Sequence, residues 1–253
     1  MRETLLIVNA DDLGATVPVN DAIFSLMEQG TVTSATLLAN GPAFDDAVRR
    51  IPSFPQCSFG IHLNLTQLRP VHPTPGLRPI LNEEGLFSRG LEGVHWTPSL
   101  MRAIYIELSA QVQRALDAGV RVSHFDSHHH THTIPWIFPV IKALQRRFNI
   151  QRARGTINIL PAEKLNSGRF MKKGFYAFFL RAIVATRVPE GLGSFQDFHS
   201  RLLLGLPFPW KSIELMVHPG ATSPFGLDEE ALLRTDWRSK VPFPYRLGTF
   251  RDL

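Results

Sequence analysis

Only one cysteine, Cys57, occurs in 253 residues, so no disulfide can form within the chain. It reads as a small buried apolar group, with no local support for a nucleophile. Long apolar runs are also scarce. The longest, residues 175–185, is broken by Arg181 and falls short of the roughly 20 residues that span a bilayer. No membrane span is expected. The apolar stretch 4–10 is too short for a secretory signal with its flanks, so a cytoplasmic protein is the expectation. An excess of one charge is missing too: 27 Lys and Arg face 22 Asp and Glu, a net charge of +5. The basic residues form no single run, which argues against a nucleic-acid partner. There is no G-x-x-x-x-G-K-[ST] phosphate loop and no G-x-G-x-x-G after a strand. No G-x-S-x-G nucleophile elbow is present either. The 18 Gly and 19 Pro follow no period, which excludes collagen-like order.

What is present is an ordinary globular composition, 44% hydrophobic and 19% charged. The length suits one α/β barrel, so residues 1–253 are expected to form a single domain. Apolar segments at 4–10, 31–38, 58–65, 120–125, 150–159 and 213–217 read as strands. Helical patterns alternate with them. One covers 20–29 and stops at Gly30; a short one covers 43–50. A long one starts at the N-cap Thr97 and first-turn Pro98 and stops at Gly119. Another follows His132, with Pro135 in its first turn and Ile137, Ile141 and Leu144 on one face. Residues 168–188 and 228–235 complete the set, and 71–94 is a long loop of the kind that binds or covers ligands. The rhythm implies a mainly parallel sheet with right-handed crossovers, a TIM-like (β/α) barrel that is distorted or incomplete.

In such folds reactive groups gather at the C-terminal ends of strands. The unusual polar residues fall there. Asp11 and Asp12 follow the first strand, and His62 and Asn64 lie late in the third. The run DSHHHTH, 126–132, follows the strand 120–125, and His218 closes the late strand. Each has a plain structural reading: a helix cap for the paired acids, a core histidine for His62, a turn residue for His218. Their agreement carries the functional one. An Asp with two or three His makes an open site for a divalent metal. A second acid and a distant His can then serve as general base and acid. Within the tract, His128 and His132 share a face if it is helical, His128 and His130 if it is extended. Asp126 is placed to orient a histidine ring. Arg152 and Arg154 could orient Asp11 or bind substrate, although a surface position is slightly favoured. The Phe-rich stretch 170–179 offers core or the face of a homodimer, and Lys172 and Lys173 a solvated patch.

These motifs, LLIVNADDLG, TSATLLANG, GIHLNLT, HFDSHHHTH and VHPG, run in order from residue 5 to 220. Together they resemble the YdjC-like carbohydrate deacetylases, which include the ChbG-type chitooligosaccharide (diacetylchitobiose) deacetylases. The resemblance implies a distorted (β/α) barrel, a divalent metal and hydrolytic removal of an N-acetyl group from a sugar. It places Asp12, His62 and His128 as metal ligands, Asp11 as catalytic base and His218 as acid for the leaving amine. Asp126, His130 and His132 take supporting roles. The H-x-x-x-H pair of the related NodB-type deacetylases keeps His132 open as a ligand. Leu13 departs from the Phe of many members, and 71–94 matches no motif. Ligand chemistry favours zinc, cobalt or nickel, with magnesium accommodated when abundant. The alternatives are a hydrolase of another amide or a phosphoester on the same scaffold, or a non-catalytic metal- or sugar-binding protein.

Overall fold

A computed structural model describes residues 3–88, 91–159, 167–220 and 228–253. The side chains of 167–173 and 175, which include Phe170, Lys172 and Lys173, lie outside the described part. Among the described residues, seven strands pair in parallel: β1 Thr4–Leu13, β2 Ser34–Leu37, β3 Ser58–Leu63, β4 Val122–Ser127, β5 Gly191–Ser194, β6 Ser212–Val217 and β7 Tyr245–Leu247. Their order is β4-β3-β2-β1-β6-β5, with β7 beside the first residues of β1.

The segment 151–159 joins the two outer strands and closes the ring. At its start Phe125 N–H donates to Arg152 O at 3.0 Å and Arg154 N–H to Phe125 O at 2.9 Å. At its end Ile159 N–H donates to Leu192 O at 2.8 Å and Leu192 N–H to Ile157 O at 2.7 Å. It serves two strands in turn, so it forms isolated bridges rather than a full ladder. The result is a distorted α/β barrel, as the alternating pattern implied.

Strand alternation creates two cores. Leu6, Val8 and Ala10 of β1 pack outward with Ile23, Leu26 and Met27 of α1, Val17–Glu28. Leu5 and Ile7 point the other way and form a separate floor with Phe250. His124 lies flat on Phe250, ring centroids 3.5 Å apart. Gly60 faces that imidazole so closely that a Cβ would stand 2.6 Å from it, so no larger residue fits. Above this floor the barrel interior turns polar, with Asn9, Thr36, His62, Asp126 and Glu214 all buried.

Local chemistry sets the helix ends. Thr16 and Thr97 accept from the backbone N–H of Val19 and Leu100 and start α1 and α3, Pro98–Asp117. Gly30, at φ +64°, lets the chain leave α1. The remaining helices are α2 Phe44–Arg50, α4 Phe138–Phe148, α5 Ser167–Ala182, α6 Phe195–Leu203 and α7 Glu229–Leu233. None among the described residues is long and apolar enough to cross a membrane.

Several boundaries differ from the pattern reading. β1 runs on through Asp11 and Asp12, and β4 through Asp126 and Ser127, so these acids lie inside strand ends. α4 starts at Phe138, with Pro139 rather than Pro135 in its first turn. The stretch 71–94 is not bare loop. A 3₁₀ turn, Pro75–Ile80, buries Leu77 and Ile80, and Leu81 bridges Phe87. Strands β5 and β7 and helix α6 were missed; GLGS and YRL are too short and too poor in β-branched residues to stand out.

Candidate active site

All the polar clusters meet at the carboxyl end of the barrel. The first needs a local irregularity. Regular alternation would aim Asp11 inward and Asp12 out toward the helices. The pairing of β1 with β2 slips between Ala10 and Leu13, and Asp12 takes φ +64°. Asp is among the few residues that tolerate this left-handed state. The slip turns Asp12 to the mouth, so two consecutive acids face one site.

Asp12 Oδ1 lies 3.0 Å from His128 Nδ1 and 3.4 Å from His62 Nε2, and those two nitrogens are 3.3 Å apart. A ligand atom from each lies within 4.8 Å of the others. His128 Nε2 is buried without a hydrogen-bond partner among the described residues. One carboxylate and two imidazoles with spare lone pairs suit a zinc-type cation and fit poorly with magnesium's preference for oxygen. Asp126 Oδ1 sits 2.8 Å from His62 Nδ1, and Thr36 Oγ1 donates to Asp126 Oδ2 at 2.9 Å. This fixes the ring so that Nε2 faces Asp12. Burial pulls the His62 pKa down, but Asp126, Asp11 and Asp12 push it up to about 9. A cation must displace that proton, so binding is expected to release one. An Asp126→Asn variant should bind zinc about 10- to 100-fold more weakly. Calorimetric titration reads this, and an unchanged affinity would remove Asp126 from any orienting role.

Asp11, His62 and Asp126 form a second grouping of the same tightness. It already holds a cation. Arg154, 0% exposed, sends Nη2 to Asp11 Oδ1 at 2.6 Å and to Asp126 Oδ2 at 2.9 Å. Its Nη1 reaches Asp11 Oδ2 at 2.8 Å and its Nε reaches Glu214 Oε1 at 2.7 Å. The surface position favoured for Arg154 is therefore wrong. Burial would raise the Asp11 and Asp126 carboxyls, yet the guanidinium holds both below the usual range. Burial prevails at Glu214, pushed up to about 7.

On Asp11, Oδ1 also accepts from Asn9 Nδ2 at 2.9 Å. Oδ2 keeps a free lone-pair site and faces His218 Nε2 at 3.8 Å. The His218 side chain is 39% exposed, so the gap opens to the mouth. Burial lowers its pKa, but the Glu229 carboxylate, 3.6 Å from its Nδ1, and the Asp11 charge raise it above the ordinary value.

The histidine tract is neither helical nor extended. It forms a 3₁₀ turn, His128–Thr133, broken by His129 and His130 at φ +52° and +54°. The His128 and His129 rings lie 4.1 Å apart, centroid to centroid, while His130 and His132 form a separate edge-to-face pair at 6.2 Å. His129 Nδ1 meets Thr66 Oγ1 at 2.9 Å. His132 is buried, with Nδ1 2.6 Å from Ser127 Oγ, and its carbonyl accepts from the Tyr176 hydroxyl. Neither His130 nor His132 joins the group around Asp12 among the described residues. Asn64 is structural: its Oδ1 accepts from Thr66 and Gln67 N–H. Thr36, Asn9, Glu214 and Glu229 were not anticipated. Asn9 and Thr36 lie inside the motifs LLIVNADDLG and TSATLLANG, and Glu214 shows as an acid inside the apolar run SIELMV.

Fold and site together define a parallel α/β barrel whose mouth carries paired acids beside a histidine cluster. The chain belongs to the YdjC-like protein family, whose profile matches residues 5–240. A carbohydrate deacetylase of Brevibacillus brevis is 36% identical over 98% of this chain and 92% of its own length. One from Geobacillus stearothermophilus is 41% identical, but over 57% of each chain. A chitooligosaccharide deacetylase of Salmonella paratyphi B is 37% identical over 70% of this chain and 69% of its own. Among solved structures, a protein of Enterococcus faecalis with the provisional name cellobiose-phosphate cleavage protein shares the fold. Its TM-score is 0.78 at 22% identity, covering 99% of this chain and 98% of the other.

Proposed function

We propose that the protein is a metal-dependent carbohydrate deacetylase that hydrolyses the N-acetyl group of an amino sugar or a short N-acetylated oligosaccharide. The observation that carries this reading is the side-by-side placement of two units. Asp12, His62 and His128 converge as a ligand set, and Asp11 and His218 face each other across 3.8 Å at its edge. The deacetylase names of the Brevibacillus and Salmonella relatives supply the substrate class.

Asp12, His62 and His128 would hold a divalent cation, which would supply Lewis acidity to the acetyl carbonyl and to a water. The chain's own groups handle the protons. Asp11 accepts the proton of the attacking water at the free site on Oδ2. Asn9 and Arg154 hold that carboxylate in one orientation and keep it ionised at working pH. The water oxygen bonds to the acetyl carbon as the carbon–nitrogen bond breaks. His218, charged and open to the mouth, gives its Nε2 proton to the departing amine, and acetate leaves.

The test is acetate release from N-acetylated chitooligosaccharides by protein stripped with a chelator and reloaded. Release should vanish on stripping and return with zinc or cobalt more fully than with magnesium. His128→Ala should lose bound metal and turnover together. Undiminished release from the stripped protein would overturn the metal requirement. Phosphate release from sugar phosphates without acetate release would overturn the substrate class.

A further inference from the structure

His218 is held from two sides. Its Nε2 points to Asp11, and its other face is turned to Glu229. One oxygen, Glu229 Oε2, accepts the backbone N–H of His218 at 2.9 Å and lies 3.6 Å from its ring Nδ1. A single carboxylate oxygen therefore holds the backbone where the residue leaves β6 and sets a negative charge beside the Nδ1 side of its ring. Glu229 is itself anchored. It opens α7, where Asp228 Oδ1 accepts from Ala231 N–H at 3.0 Å. Leu233 of that helix is buried in the main core, and Arg234 reaches Ser25 Oγ of α1 at 3.2 Å. The carboxylates that bear on the ring are Glu229, Asp11 and Asp12.

We infer that Glu229 is a positioning residue: it keeps a proton on His218 Nδ1 and presents Nε2 to the reacting nitrogen. The inference rests on the deacetylase reading and extends it to a residue outside every motif of the sequence. The chemistry follows from the two ring nitrogens. A carboxylate beside Nδ1 selects the N–H on that side, so Nε2 becomes the nitrogen that exchanges its proton with substrate. The same charge stabilises the imidazolium before transfer. A purely structural Glu229 would need only an acceptor for the backbone N–H, and a glutamine amide oxygen provides one.

Glu229→Gln separates the two roles. In the metal-loaded protein, kcat for the N-acetyl substrate should fall about 10- to 100-fold, part of what a general acid contributes. KM, metal content and melting temperature should hold. Glu229→Asp, which keeps the charge, should recover part of the loss. The defect should shrink on 4-nitrophenyl acetate, whose phenolate departs without a proton. Wild-type amide turnover in Glu229→Gln overturns the inference, as does an equal loss on amide and ester. His218→Ala in the same assay tells the two failures apart. If it is inactive on the amide while Glu229→Gln is fully active, only the positioning role falls. If His218→Ala keeps full amide turnover, the acid assignment falls and the inference with it.

Discussion

Asp11→Asn is expected to lower turnover by about 10²- to 10⁴-fold, the usual share of a general base, with metal still bound. The separation follows from where the two acids point. Asp12 faces His62 and His128, whereas both Asp11 oxygens are turned to Arg154. Asparagine keeps the shape and one acceptor oxygen. Its NH₂ group cannot accept a proton, and it meets a guanidinium nitrogen with a donor rather than an acceptor. The strong hold of Arg154 on Asp11 has a chemical cost, because a carboxylate with a depressed pKa is a weak base. Two features offset it. The group is ionised at every working pH, and Oδ2 keeps its open site on the side of His218. Acetate release and metal content, measured on the same sample, check the outcome. Near-normal turnover with metal retained would remove Asp11 as the base, while loss of both would make it part of the ligand set.

Much of this centre was legible in the sequence because strand ends collect function in α/β barrels. Apolar runs marked β1, β3, β4 and β6, and the polar residues at their ends marked the mouth. The finer geometry was hidden by backbone states that no period reveals. Asp12 faces the site through a positive φ, and the turn at His129 and His130 excludes both regular readings of the tract. Depth was hidden as well. Arg152 and Arg154 are two residues apart, so alternation places them on one face. They differ by about 6–7 Å along the strand direction. Arg152 reaches Arg251 O at the floor of the barrel, while Arg154 stands among three carboxylates in the dry interior. A pattern of alternation carries no information on that axis. Glu229 lay beyond reach for another reason: it meets His218 through tertiary packing of α7 on α1, not through a local motif.

The same buried arginine governs stability. Arg154→Leu should destabilise the fold by about 3–5 kcal/mol at pH 7, the range for breaking a buried ion pair by removing one partner. Leucine fills part of the volume but leaves Asp11, Asp126 and Glu214 facing one another without a cation. Arg154→Lys should fall between the two, because one ammonium cannot match a fork that reaches three carboxylates. The pH dependence identifies the cause. In the wild type Arg154 holds the Asp11 and Asp126 pKa values down, so their contribution is present above about pH 4, the unfolded carboxylate value, and is lost below it. In Arg154→Leu only the weaker pull of His62, and at Asp11 of His218, still opposes burial, so those pKa values should rise above the unfolded ones. The folded variant then binds more protons than its unfolded chain, and its stability rises as pH falls. The gap between the two proteins should therefore narrow from pH 7 to pH 5. Urea unfolding of metal-loaded protein at both values reads it. A variant as stable as the wild type at pH 7 would mean that the three acids already share protons without Arg154. A gap that does not change with pH would assign the loss to packing rather than charge.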